Sequence, residues 1–213
     1  MECSVAVVSR GTLLTSIAMS NSGGLIVTPR LDLHLIPIPE LLLLHEDPDN
    51  PGLLADRDFT NPHNELSHEH SGPLRWRVPQ VKADPAVNIW FIRWIVLRET
   101  KEVVGSISFH APPDDSGMIE IGFGISQACR NNGFGTEALL GMWSWVITQP
   151  NVKILRYTVS ASNLPSMAII SKFGFSHVGQ QLDEEDGPEE IFELSAADFQ
   201  LGLKNGFTAN NRS

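Results

Sequence analysis

Cysteine occurs only twice in 213 residues, as Cys3 and Cys129, too few for a disulfide framework. A reducing compartment, the cytoplasm, is therefore the expected location. Basic side chains are also scarce: 15 Lys and Arg face 25 Asp and Glu, for a net charge of −10. Nucleic acid and anionic membranes select basic surfaces, so neither is an expected partner, whereas a cationic amine would be attracted. No run approaches the ~18 apolar residues that a bilayer span requires, and no internal repeat is present. Usage is otherwise ordinary, 42% hydrophobic and 19% charged, and the length suffices for one large domain with a sizeable core. Residues 1–27 are rich in Ser and Thr and carry Arg10 as their one base. Thr12 to Met19 is too short and too hydroxylated for a signal-peptide core, so an extension is expected, a weak transit peptide being the other reading.

The most informative segment is Arg130-Asn131-Asn132-Gly133-Phe134-Gly135-Thr136-Glu137-Ala138. It follows the strand-like run 118–125 and opens an amphipathic helical segment from Thr136 to Ile147. Strand, G-x-G loop and helix form a phosphate cradle: glycines admit a close main-chain approach, and the first helical turn offers unpaired N–H donors. The helix dipole and the Arg130 guanidinium add positive charge. A plain tight turn would satisfy the same pattern. A P-loop is disfavoured because no Lys follows Gly135, and a dinucleotide fold because no acid lies near Tyr157. By itself the loop implies phosphate or pyrophosphate.

After the strand-like stretch 153–159 comes Asn163-Leu164-Pro165-Ser166, which opens a short helix ending at Gly174. Asn163 suits the N-cap, Pro165 the first turn and Gly174 the left-handed residue after the last turn.

Other candidates each have a plain reading beside the functional one. His63, His68 and His70 could ligate a metal but lack a third well-spaced partner, so a solvated loop and no metal are expected. The acidic run 183–186 with Glu189 and Glu190 reads as a solvated turn that could also attract a cation. Cys129 has no His nearby in sequence and reads as packing. Glu120 lies in a strand of Ile, Met, Phe and Gly, sharing a face with Gly122 and Gly124. A carboxylate there needs a partner, water or a raised pKa, and is either a general base or a group held by a neighbour such as Ser108.

The two motifs together, R-x-x-G-x-G-T-E-A after an E-I-G strand and then A-S-N-x-x-S-M-A-I-I-S-K-F-G-F, resemble the GNAT superfamily of acetyl-CoA-dependent N-acetyltransferases. The branch most similar contains the ribosomal-protein alanine N-acetyltransferases. The resemblance implies a mixed α/β (α+β) domain over residues 28–200, with a tail at 201–213. Its sheet would be twisted and mainly antiparallel, with helices on both faces and a splayed central pair at 118–125 and 153–159. It also implies that acetyl-CoA enters that gap and donates its acetyl group to a primary amine, a small amine or a protein N-terminus. Phe123, Gly124 and Ile125 would pair with the pantetheine arm, and Arg130, Asn131, Asn132, Gly133, Phe134, Gly135 and Thr136 would hold the pyrophosphate. Glu120 would serve as base, and Ser166 as donor to the departing thiolate with Asn163 beside it. Many relatives use a tyrosine on the later helix as acid. The single tyrosine here, Tyr157, precedes that helix, which leaves the acid's identity open. Monomer and homodimer are both compatible. A domain that binds acyl-CoA as a sensor without turnover, or an interaction module built on 52–88, remain the other readings.

Overall fold

Leu31, Leu33 and Leu35 alternate with Asp32 and His34, and in the computed structural model this period-two pattern forms a strand, β2 (Leu31–Leu35). The structure describes residues 24–66, 72–183 and 187–207. They fall into two compact units: the first runs to Pro112 and includes Phe123–Met142, the second comprises Pro113–Gly122 and the chain from Trp143 onward.

In the first unit, β1 (Leu25–Val27) and β3 (Arg93–Leu97) flank β2 antiparallel, and β4 (Glu102–Phe109) pairs with β3. All five β3 residues are buried, as a strand covered on both faces must be. The later part of β5 (Met118–Ile125) lies close to β4, where a Cβ on Gly105 would stand 2.1 Å from the Gly124 carbonyl oxygen. Helices α1 (Ile38–Glu46) and α2 (Gly72–Ala83) close the core through Leu41, Leu44, Leu74, Val78 and Val81, with Phe91 and Trp94. The sequence suggests mostly loop and weak helix over 52–88, yet α2 runs three turns with Pro79 inside it. Burial of Leu74, Val78 and Val81 on one face outweighs the ~3 kcal/mol that an interior proline costs.

In the second unit, the early part of β5 pairs parallel with β6 (Ile154–Val159), from Met118↔Ile154 to Glu120↔Arg156. The register runs no further, although β5 continues to Ile125 and β6 to Val159. Antiparallel pairing then joins β6 to β8 (Gly187–Ser195), and β8 to β7 (Ser176–Asp183). The full order is β1-β2-β3-β4-β5-β6-β8-β7, a mixed, mainly antiparallel α/β fold. The core of this unit centres on Trp143 of α3 (Phe134–Val146), whose ring meets Tyr157, Phe173, Phe175 and Phe199. Phe173 ends α4 (Leu164–Phe173), and Phe199 belongs to α5 (Ala196–Asn205).

Candidate active site

The loop singled out in the sequence lies in the first unit, between the end of β5 and the start of α3. A single 3-10 turn, Gln127–Cys129, leads into it. Two residues then take left-handed backbone, Asn131 at φ 64° and Gly133 at φ 78°. Asparagine tolerates this conformation and glycine adopts it without steric cost. The Asn132 amide donates to the carbonyls of Cys129 and Arg130, at 3.2 Å each, and holds the turn from within. Among the described residues, no main-chain N–H from Asn131 to Thr136 donates to another protein group. Successive unpartnered N–H groups at left-handed positions, followed by a helix N-terminus, form a concavity suited to an anion. Arg130 is exposed, and its Nε is tied to the Ile125 carbonyl at 2.9 Å.

The two loop glycines do different work. A Cβ on Gly133 would have open space, with Arg30 Nη2 nearest at 3.6 Å, so its need for glycine is conformational. A Cβ on Gly135 would stand 2.7 Å from the Phe123 ring. Gly135 therefore lets α3 pack against β5, a role that the sequence reading gave to anion approach.

Glu120, Asn163 and Ser166 lie in the second unit. The half-buried Glu120 carboxylate accepts a hydrogen bond from the Thr158 hydroxyl on β6. Its register neighbour Arg156 is committed to Glu193, at 2.6 and 2.9 Å. Asn163 caps α4 by accepting from Ser166 N–H at 3.2 Å, and Gly174 ends the helix in the left-handed conformation, both as expected. Ser166 is 9% exposed and its side chain is hydrogen-bonded to the Tyr157 hydroxyl. Burial pushes the Tyr157 phenol above its ordinary value, while the Ser166 bond pulls the other way. Sequence reasoning left the acid's identity open because Tyr157 lies on the strand before that helix. The structure joins it to Ser166 because β6 places the phenol beside the first turn of α4.

Three further contacts bear on the sequence reading. Cys129 is fully buried, as packing requires, but His63 Nε2 lies 3.4 Å from its sulfur. Ser126 donates to Glu65 at 2.6 Å, so the 63–65 turn is fastened to the entrance of the loop. Ser108, considered as a partner for Glu120, donates to the Phe109 carbonyl and accepts from Arg77. His68 and His70 lie outside the described residues, as do Glu184, Glu185 and Asp186.

The family model described as the acetyltransferase (GNAT) domain matches residues 50–176, a stretch containing both the anion loop and the Glu120 strand. The chain belongs to the GNAT family. The uncharacterised N-acetyltransferase YjdG of Bacillus subtilis (strain 168) is 33% identical over 86 residues, covering 40% of this chain and 51% of that protein. The chain spans about half the length of the curated relatives it matches. Among solved structures, the ribosomal-protein-S5-alanine acetyltransferase of Vibrio fischeri superposes with a TM-score of 0.57 at 12% identity, over 82% of this chain and 98% of that one. The microcin C7 self-immunity acetyltransferase MccE, in complex with acetyl-CoA and AMP, gives 0.56 at 13%, over 83% and 98%. These likenesses establish the GNAT fold. No helix among the described residues is long and apolar enough to cross a membrane.

Proposed function

We propose that this GNAT domain transfers an acetyl group from acetyl-CoA to a primary amine by direct attack. The observation that carries the reading is the run of unpartnered N–H groups from Asn131 to Thr136, a pyrophosphate-sized set of donors at a helix N-terminus. Phe123, Gly124 and Ile125 supply the strand whose main chain pairs with the pantetheine arm, a pairing supported by the exposure of Gly124. Arg130 adds charge at the loop, although its Nε is held by Ile125.

The acceptor amine, with a pKa near 10 when free, must lose its proton to attack. Glu120 takes that proton through water, held in place meanwhile by Thr158. As the N–C bond forms, the carbonyl oxygen becomes an oxyanion that a main-chain N–H of residues 123–125 can receive. The C–S bond then breaks, the attacking nitrogen gives its remaining excess proton to the departing thiolate, and Ser166 donates a hydrogen bond to that sulfur while Tyr157 orients the Ser166 hydroxyl. The acidic balance of the chain favours a cationic acceptor, a small amine or the N-terminus of a basic protein. A protein acceptor is in keeping with the name of the Vibrio fischeri structure, a ribosomal-protein-S5-alanine acetyltransferase.

Calorimetry with CoA, followed by an acceptor screen that monitors thiol release from acetyl-CoA, tests this reading. Submillimolar CoA affinity and amine-dependent thiol release are expected. Binding without turnover on any amine would indicate a sensor domain, and no binding would remove the assignment.

A further inference from the structure

The helix that presents the loop carries an acid close behind it, favourable for the helix itself but opposed to an anion bound at the loop. Glu137 lies in the first turn of α3, directly after the N–H groups that would face an anion, and is only 2% exposed. A bare carboxylate there would cancel the positive helix end and repel a phosphate.

Arg30, between β1 and β2, answers it. Its Nε meets Glu137 Oε2 at 2.7 Å, and its main-chain N–H meets Oε1 at 2.7 Å. The Thr28 hydroxyl also donates to Oε1, at 2.7 Å, and is the carboxylate's third donor. The same guanidinium reaches the loop itself. Nη1 donates to the Asn132 carbonyl at 3.0 Å, and Cζ lies 4.7 Å from the centre of the Phe134 ring. Nη2 lies 3.6 Å from the place a Gly133 Cβ would occupy. One planar fork thus spans carboxylate, carbonyl and ring, which a point-like ammonium cannot do.

We propose that Arg30 is a positioning residue for the anion loop: it neutralises Glu137 beneath the N–H groups and holds the Asn132 carbonyl turned away from them. The proposal rests on the acetyl-CoA reading. The need for a brace is physical, because several N–H dipoles pointing one way repel one another and would rotate apart without a fixed partner on the opposite side.

The test is CoA binding by calorimetry in four folded proteins: wild type, Arg30→Met, Glu137→Gln and the double variant. Arg30→Met should raise the Kd for CoA by roughly 10–100-fold, because it exposes the loop to an uncompensated carboxylate as well as losing the brace. The double variant should bind severalfold more tightly than Arg30→Met, since Glu137→Gln removes the repulsion. Affinity for a pantetheine fragment lacking phosphate should not change in any of them. Should Arg30→Met fail to fold, Arg30→Lys takes its place; it keeps the charge and should still lose affinity. Wild-type Kd in folded Arg30→Met or Arg30→Lys would overturn the proposal, as would a double variant that binds no better than Arg30→Met. Failure of wild type itself to bind CoA would instead remove the acetyl-CoA reading, and the proposal with it.

Discussion

Gly135→Val tests whether the second loop glycine serves packing or anion approach. A Cβ at this position would stand 2.7 Å from Phe123 Cε2, 3.3 Å from Cζ and 3.6 Å from Ile125 Cγ1. Ordinary carbon contacts lie at about 3.5–4.0 Å, so the ring or the helix must shift by roughly 1 Å. Overpacking of that kind costs about 1–3 kcal/mol. Valine recovers about 0.5 kcal/mol of helix propensity over glycine, which leaves a net loss of about 0.5–2.5 kcal/mol. For a chain of this size that corresponds to a melting temperature lowered by roughly 1–10 °C. Displacing Phe123 should also weaken CoA binding, because the ring belongs to the strand proposed for the pantetheine arm. Gly133→Ala provides the contrast: it meets no atom closer than 3.6 Å but must hold φ at 78°, a strain of about 1–2 kcal/mol. The assay is a thermal melt paired with CoA calorimetry on both variants. A Gly135→Val protein that melts no lower than wild type would refute the packing argument.

Three other outcomes are expected. Arg130→Ala should weaken CoA by about 1–3 kcal/mol without affecting a fragment that lacks phosphate, and equal loss on both would make Arg130 structural. Glu120→Gln should lower kcat by roughly 10²–10⁴-fold, with KM for acetyl-CoA little changed. Near-normal turnover with a lowered melting temperature would instead mean that Glu120 only pairs with Thr158. Tyr157, held above its ordinary 10.0 by burial, keeps its proton in the fold after the unfolded chain has lost it. That contribution to stability is complete below about pH 10 and is lost as pH rises through the folded value. Ultraviolet titration of this single tyrosine should show its ionisation shifted upward, and Tyr157→Phe should flatten the alkaline loss of denaturant stability; an unshifted titration would remove the explanation.

The sequence by itself determined the features whose causes are local. The Asn163 cap, the Gly174 terminus, the Gly133 bend and the apolar alternation of β2 were legible because each depends on the conformational preference of one residue or on a period of two. The family resemblance rested on the same short motifs, and the mainly antiparallel sheet followed from it. Only the tertiary structure decided what those motifs touch. Glu137 meets Arg30 across 107 positions, Cys129 meets His63 across 66 and Glu120 meets Thr158 across 38. Such pairs depend on strand register and on how α3 lies against its sheet, and burial of the whole apolar set fixes both. The same holds for α2, where packing overrode Pro79, and for Gly135, whose neighbour is the ring of Phe123 on the preceding strand. A lone polar side chain in a sequence names its chemistry, but its partner is chosen by the packing of residues far away, because hydrogen bonds reach only about 3 Å.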